Sequence, residues 1–403
     1  MSYASNGSHT VETILDERVV ISDGLVFVSG LTASDPKGGV PPQAAVSAEF
    51  PYYGSDIQKQ TTYLLEKLQN ILTAHGSALE HVVKTQVFIT DCRLFDAFDQ
   101  IWKKFFEVPP PRTTVGVGPD SMAIPGTLVA VDVIAALPEV LDIRQIDSPR
   151  LPKPLANYTP CVGAGDWLFL AGQLPTEFGD TGLAPEASVN PLFPHHSSAL
   201  LAQAKYTIDV CQTLLEDSGS DWDHALRVAI FLKDVTQAPL IDALWSDMFT
   251  GRTAPPYLVI GVEELLTGGA EIEIDVIAVR TGTASLRRLD ANGSAVTQVA
   301  TTGVDQTTVT LAQIDVPQEG YRLFVIEQAV RAAFEEAAGQ IGPNTTPVKV
   351  HAFLADVADI YAFGRGLPQE FAGTAAITTS PSVGDTRIGL EIYCRDDATM
   401  TKG

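Results

Sequence analysis

Arg112 is the side chain whose type and setting best suit chemistry on a small anionic substrate. It stands in the run PPPRTTVGV, residues 109–117. A guanidinium group holds a planar carboxylate through two parallel hydrogen bonds, and the prolines before it stiffen the chain that presents it. A related run, APPYLVIGV (254–262), carries Tyr257 at the same distance from its glycine. The sequence therefore offers one strong carboxylate clamp and one altered copy of it.

Other catalytic chemistries find little support in the sequence. There is no GxSxG, no Walker motif and no GxGxxG that opens a helix. The pair His195-His196 lies in a Pro-rich loop without acids or cysteines at ligand spacing, which is typical of a surface loop rather than a metal site. Cys92 has no counterpart in the related segments described next, which weakens a nucleophilic role. We expect neither a metal nor an organic cofactor.

Three segments of the chain resemble one another at nearly fixed spacing. They are VFITDCRLFDAFDQIWKKFF (87–106), IFLKDVTQAPLIDALWSDMF (230–249) and AFLADVADIYAFGRGLPQEF (352–371). In each, a Phe precedes an Asp by three residues, and another Phe follows that Asp by fifteen. The blocks LVAVDVIA, EIEIDVIA and IGLEIYCR follow, and they align Asp132, Asp275 and Glu391. Copies more than 100 residues apart are domains rather than solenoid units, and we place them at 8–137, 155–280 and 296–397.

Each copy shows the same order of predicted elements. Copy one starts with RVVIS and LVFVSG around Asp23-Gly24, a hairpin turn signal. A helical stripe follows and ends near Gly76, and then come the strand VVKTQVFIT, a second helix and a last strand. The order β-β-α-β-α-β predicts an α+β fold with helices on one face of each sheet. The segments 138–156 and 281–295, rich in Pro or polar residues, are predicted linkers.

The charge balance limits the partners. The chain of 403 residues has 26 basic and 49 acidic residues, a formal net charge of -23. Such a field repels nucleic acid and anionic membranes, so neither is an expected partner. Four cysteines without a CxxC pair, no signal-like N-terminus and no long apolar run predict a protein of the reducing cytoplasm.

The motifs LVFVSG, VVKTQVFITD, PPPRTTVGV and VDVIA resemble the RidA (YjgF) family of enamine/imine deaminases. NYTPCVGAGDWLFLAGQLP, FLKD and EIDVIAV extend the resemblance through copy two, and copy three is a degenerate relative. Members of that family form homotrimers of a chorismate-mutase-like α+β domain, with a ligand cleft at each subunit boundary. The resemblance therefore implies that three tandem copies close into an intramolecular pseudo-trimer, as a monomer or a homo-oligomer of it.

The resemblance also implies roles for individual residues. Arg112 would bind the substrate carboxylate, Asp132 would orient the attacking water, and the carbonyl of Thr114 would accept from the imine nitrogen. Tyr158 of copy two would stack beside the substrate, so that an intact site is a composite of copies one and two. Asp275 and Glu391 are read equally well as cleft acids or as structural acids near the pseudo-trimer axis. The remaining residues expected to line clefts are Ser29, Gln173 and Tyr257.

Three functions stay open at this stage. The first is hydrolysis of a small carboxylated imine or enamine, such as an aminomuconate-like intermediate, to the keto compound and ammonia. A protonated C=N bond is already electrophilic, so positioning and one carboxylate suffice. The second is a chorismatase-like hydrolase or lyase acting on a cyclic carboxylate, because this fold hosts more than one reaction. The third is a ligand-binding pseudo-trimer without catalysis.

Overall fold

Alternating apolar residues and tight turns form the strands where the sequence predicts them. The computed structural model describes residues 17–35, 38–156, 158–178, 182–293, 297–316, 322–341, 345–384 and 387–397. The start of the predicted first domain, 8–16, lies outside these ranges. The hairpin turn at Asp23-Gly24 has both residues at positive φ, 50° and 78°, as a two-residue turn with right-handed strand twist requires.

Three domains follow one another along the chain. Domain 1 contains β1 (Val19–Ser22), β2 (Leu25–Thr32), α1 (Asp56–Ala74), β3 (Val82–Ile89), α2 (Phe95–Phe105), β4 (Arg112–Gly116) and β5 (Val129–Ala136). Domain 2 contains β6 (Ile143–Ile146), β7 (Cys161–Ala164), β8 (Trp167–Leu170), α3 (Ala199–Asp217), β9 (Ala225–Leu232), α4 (Ala238–Met248), β10 (Tyr257–Gly261), β11 (Glu264–Leu265) and β12 (Ile272–Val279). Domain 3 contains β13 (Arg287–Gly293), β14 (Thr297–Val304), β15 (Thr307–Asp315), α5 (Arg322–Ile341), β16 (Thr345–Leu354), α6 (Ile360–Gly366), α7 (Gln369–Thr374), β17 (Ala376–Pro381) and β18 (Arg387–Asp396).

The three sheets share one topology. Their common strands run in the orders β1-β2-β5-β3-β4, β7-β8-β12-β9-β10 and β14-β15-β18-β16-β17. In each, the strand before the second helix pairs in parallel with the strand after it, and the other pairs are antiparallel. The predicted α+β repeat is confirmed, since the helices pack on one face of each sheet.

Two segments read as linkers contribute strands instead. β6 lies within 138–156 and pairs with β7, and β13 lies within 281–295 and pairs with β14. The sheets of domains 2 and 3 therefore begin before the predicted starts at 155 and 296. Short edge strands gain their order by pairing with a neighbour and need little hydrophobic periodicity of their own. A third unpredicted strand, β11 of domain 2, pairs with β4 of domain 1.

The inner faces of the three sheets form one shared core. Phe88, Phe231 and Phe353, which occupy equivalent positions on β3, β9 and β16, are buried there, and their rings pack 6.3 and 6.5 Å apart around Phe353. The outer faces form separate cores with the helices of each domain. The chain is thus an intramolecular pseudo-trimer, as expected, with the sheets inside and the helices outside.

The aspartates that the three repeats share have a structural role. Asp91, Asp234 and Asp356 each accept a hydrogen bond from the backbone N–H two residues ahead, at the start of a short 3₁₀ turn. Such a cap satisfies a backbone donor that the turn itself leaves unpaired. Their repetition therefore reflects how each copy turns from a strand into its second helix.

Candidate functional site

Arg112 lies at the start of β4, where the domain 1 sheet meets α2. Its guanidinium carbon is 5.1 Å from the rings of Phe95 and Trp102, and its side chain is buried. Nη1 lies 2.8 Å from Oδ1 of Asp99 on α2. Burial lowers the pKa of Arg112, and Asp99 opposes that shift. The arginine is therefore fixed by an aromatic box and one carboxylate before any ligand arrives.

Domain 2 covers this arginine from the other side. The N–H of Gly172 donates to the carbonyl of Arg112 at 3.2 Å, and the hydroxyl of Thr159 donates to the carbonyl of Pro109 at 2.6 Å. Burial raises the pKa of Tyr158, and the charge of Arg112 opposes that shift. A Cβ at Gly172 would collide first with Oε1 of Glu273 and would lie 2.9 Å from the side chain of Thr113, so the packing of these three residues requires glycine. The structure thus brings Arg112 and Tyr158 to one boundary, which we call the 1–2 boundary.

Glu273 on β12 supplies a carboxyl group to this boundary. It is 2% exposed, and it accepts a hydrogen bond from the backbone N–H of Thr114. Burial, with the charge of Asp275, raises the pKa of Glu273 to about 8, while Lys84 and Arg112 act in the opposite direction. A carboxyl group with such a pKa holds a proton near neutral pH and can give it up.

Sequence reasoning missed Glu273 because its counterparts are not acids. It lies two residues before Asp275, on the same face of the strand, and the equivalent positions hold Ala130 and Gly389. The comparison of repeats selected positions that the copies share. The available signal was a second acid in the block EIEID of copy two alone.

Several buried polar atoms at the 1–2 boundary lack hydrogen-bond partners within the described residues. Within the described residues, Nη2 of Arg112, Oγ1 of Thr114 and Oε2 of Glu273 have no hydrogen-bond partner. Leaving a buried polar group unpaired costs about 1–3 kcal/mol, and more for a charged group. Asp99 also pairs with Lys103, whose Nζ lies 2.7 Å from Oδ2 of Asp99. Arg112, Lys103 and Asp99 together therefore carry a single net positive charge. The arrangement suits a small ligand with an anionic group and a proton acceptor.

The acid predicted to orient water, Asp132, lies elsewhere. Its carboxylate pairs with Lys349 and accepts from the hydroxyl of Thr378 at 2.7 Å, both in domain 3. Burial works against its charge, but Lys349, helped by the hydrogen bond from Thr378, holds the pKa of Asp132 below its ordinary value. A buried carboxylate needs such a cation, and the pair leaves Asp132 away from Arg112. The assignment of Asp132 to the cleft is therefore corrected.

Asp275 and Glu391 occupy the same place as Asp132 in the other domains. Lys84 lies 2.9 Å from Asp275, and Arg227 pairs with both Asp275, at 2.9 Å, and Glu391. Burial works against the charge of Asp275, yet Lys84 and Arg227 lower its pKa to about 2. We call the six side chains the axial charge ring; its cations are Lys84, Arg227 and Lys349, and its acids are Asp132, Asp275 and Glu391. These acids join the domains at the axis.

The remaining predicted site residues divide between boundaries. Gln173 lies beside Glu273, where its amide donates to the carbonyl of Ala171 at 2.9 Å. Ser29 accepts from the backbone N–H of Arg18 at 2.9 Å in domain 1. Tyr257 holds the register position of Arg112, but its hydroxyl donates to Asp242 at 2.6 Å, and it faces domain 3.

Metal, thiolate and membrane chemistry find no support in the described residues. In the described ranges no group of three or more His, Cys, Asp or Glu side chains is arranged to hold a metal ion. Burial raises the pKa of Cys92 to about 12, which does not favour a thiolate. Within those ranges, no helix combines the length and apolar character needed to span a membrane.

The fold and the boundary site together define a class: a chain of three α+β domains that closes on itself and brings polar groups of two domains to one boundary. A family model described as Endoribonuclease L-PSP matches residues 16–137 and 149–280, and the chain belongs to this family, which includes the RidA (YjgF) proteins, as a tandem-repeat member.

Relatives with one such domain match about a third of the chain. Protein mmf2, mitochondrial, of Schizosaccharomyces pombe is 34% identical over 120 residues, which are 30% of this chain and 85% of that protein. A RutC family protein of Synechocystis is 24% identical over 139 residues, 34% of this chain and 98% of that protein. The crystal structure of the yjgF gene product of E. coli is 24% identical, covers 34% of this chain and 98% of its own, and has a TM-score of 0.27.

Proposed function

We propose that the protein hydrolyses a small imine or enamine that carries a carboxylate, giving the keto compound and ammonia. The observation that carries this proposal is the set of unpartnered buried atoms on Arg112, Thr114 and Glu273 at the 1–2 boundary. Each could be satisfied by one part of such a substrate. Family membership adds support, because the RidA resemblance implies this reaction class.

Arg112 would bind the carboxylate. Its Nη2 is free of hydrogen bonds within the described residues, and Asp99 occupies the Nη1 side. The aromatic rings around the guanidinium exclude water, which strengthens the interaction with an anion. Because Lys103 also pairs with Asp99, the cluster keeps one net positive charge for the substrate. Tyr158 would close the site from domain 2.

Glu273, rather than Asp132, would handle the proton. In the protonated form it would transfer its proton to the imine nitrogen, which makes the C=N carbon more electrophilic and leaves Glu273 as the carboxylate. Water then adds to that carbon, and the carboxylate of Glu273 takes a proton from the water oxygen. Glu273 then returns this proton to the amine nitrogen of the tetrahedral carbinolamine, the C–N bond breaks and ammonia leaves, and Glu273 takes the hydroxyl proton as the carbonyl forms. A pKa of about 8 allows Glu273 to act in both directions near neutral pH.

The name of the matching family model mentions ribonuclease activity, but the charge of this chain is unfavourable for it. Binding of an RNA backbone depends on clustered Lys and Arg, whereas the formal net charge is -23. The cation identified at the 1–2 boundary is Arg112, buried and held by Asp99. One such group suits a carboxylate better than a chain of phosphates.

The test is ammonia release from 2-aminoacrylate generated in situ and from an aminomuconate. We expect Arg112→Ala to lower kcat/KM by about 100-fold, equivalent to ~2.7 kcal/mol of transition-state binding. Arg93→Ala is the matched control, because the Arg93 side chain is 88% exposed and pairs with Asp91 on the surface of domain 1. Equal rates for the wild type and Arg112→Ala, with both proteins folded, would refute the proposal. Turnover of a cyclic carboxylate without ammonia would favour the chorismatase-like reaction.

A further inference from the structure

The three domain boundaries are equivalent in backbone but differ in charge. Register places Arg112, Tyr257 and Ile377 at the same point, opposite Thr85, Val228 and Val350. On the helix between the two paired strands, the position that faces this residue holds Asp99 in domain 1, Asp242 in domain 2 and Gly364 in domain 3. Domain 3 therefore has neither the polar strand residue nor the helix aspartate at the place where it meets domain 1, which we call the 3–1 boundary.

The opposite wall of the 3–1 boundary has lost its acid as well. Ala130 takes the place that Glu273 holds at the 1–2 boundary, two residues before the axial acid of its strand. Domains 3 and 1 still contact each other here, since the N–H of Gly30 donates to the hydroxyl of Thr378 at 2.7 Å. Gly30 occupies the position in domain 1 that Gly172 occupies in domain 2. The same framework thus holds a boundary without the arginine and without the glutamate.

A pocket of about 50 Å³ opens at this boundary. Its walls combine apolar side chains, including Met122, Ala130, Ile360 and Ile377, with hydroxyl groups such as that of Ser380. Among the described residues that line it there is no Asp, Glu, Lys, Arg or His. This volume holds several water-sized atoms, and the site is part apolar and part polar.

Ser380 is the anchor that the pocket offers. Its Oγ lies 2.8 Å from Nε2 of His351, a fully buried residue stacked on Phe353 at 4.2 Å and met edge-on by Phe88 at 5.7 Å. Burial lowers the pKa of His351 to about 3, so the ring is neutral. Nδ1 of His351 lies 3.9 Å from Asp132 and has no hydrogen-bond partner within the described residues. A neutral imidazole therefore orients the serine hydroxyl without adding charge.

We propose that the pocket at the 3–1 boundary is a second ligand site, which takes a small uncharged molecule with an apolar body and one carbonyl or hydroxyl oxygen. The apolar part lies against Ile377 and Ala130, and the oxygen bonds to the hydroxyl of Ser380. A charged ligand is disfavoured because its charge would lose water without gaining a partner. The site differs from the 1–2 boundary in the chemistry of its ligand and does not depend on the function proposed there.

The test uses cyclopentanone as the probe and cyclopentanecarboxylate as its charged counterpart. The chain has four methionines, and Met122 lines the pocket, so ¹³C-methyl methionine NMR reports on the site directly. We expect cyclopentanone to shift the Met122 methyl signal saturably, with a Kd on the order of 1 mM, while the Met248 signal stays in place. The carboxylate is expected to bind at least about 10-fold more weakly.

Variants separate pocket binding from general solvent effects. Ala130→Leu fills the pocket and should abolish the Met122 response, whereas Ala74→Leu adds the same group on the exposed end of α1 and should not. If Ala130→Leu fails to fold, Thr379→Leu fills the pocket from a half-buried position of domain 3. Ser380→Ala should weaken the binding of cyclopentanone by about 3- to 10-fold. An unmoved Met122 signal, a response that survives filling, or equal binding of the carboxylate would each overturn the proposal.

Discussion

Replacing Glu273 by Gln should make the protein more stable, and only above mildly acidic pH. The change keeps the shape of a protonated glutamic acid and keeps an oxygen to accept from the N–H of Thr114. What it removes is the ability to ionise in a buried place beside Asp275. The effect on stability therefore isolates the electrostatic strain at the 1–2 boundary.

The sign and size of this stability change follow from the pKa of Glu273. It rises from the ordinary 4.5 to about 8 in the folded chain. Below pH 4.5 both folded and unfolded chains hold the proton, so the group contributes no difference. Between 4.5 and 8 the unfolded chain loses the proton first, so rising pH favours unfolding. The full penalty above pH 8 is about 5 kcal/mol, and we expect the glutamine variant to recover at least about 2 kcal/mol of it.

Urea unfolding at pH 5 and pH 8.5 measures this difference. The free energies of unfolding of wild type and Glu273→Gln should nearly agree at pH 5 and separate at pH 8.5, with the variant more stable. Glu263→Gln serves as the control, since Glu263 is exposed on the loop after β10 and should change neither value. A Glu273→Gln variant that is equally or less stable than wild type at pH 8.5 would refute the reasoning on this carboxyl group.

Two further variants test how the domains are joined. Asp275→Ala leaves Lys84 and Arg227 buried without this carboxylate and should lower the free energy of unfolding by about 3–5 kcal/mol in urea titrations at pH 7; a loss below about 1 kcal/mol would contradict the importance of the axial charge ring. Gly261→Ala places a Cβ 1.8 Å from the carbonyl oxygen of Val383 and should lower Tm by several degrees, whereas Gly373→Ala, with no atom within 4 Å of the added carbon, should not.

Most of the fold could be predicted because local signals and tertiary structure agree. The turn at Asp23-Gly24, the helical stripe that ends near Gly76 and the capping Asp91 all specify the same element locally and in the packed domain. The strands β6 and β11 could not be predicted in this way. β6 has four residues and β11 has two, and both are ordered by the neighbour they pair with, which for β11 belongs to another domain.

The structure places some of the predicted site residues at one boundary and Asp132 elsewhere, for a physical reason. Arg112 and Tyr158 were predicted to meet, and the structure places them at one boundary. Asp132 was selected because all three copies carry an acid there. That repetition exists because every copy contributes one carboxylate and one cation to the axial charge ring. Glu273, present in one copy, carried no such signal.

Repetition in a duplicated chain therefore reports on assembly, and differences between the copies report on ligands. At the axis the three domains meet, so removal of one charged side chain would leave a buried ion of a neighbouring domain without its partner. The ring keeps its balance even though lysine and arginine, or aspartate and glutamate, exchange places. At a boundary only two domains meet, and a change affects one cleft alone. A homotrimer must repeat each substitution three times. The covalent trimer is free of that constraint, which is why Arg112, Tyr257 and Ile377 can occupy one structural position at three different boundaries.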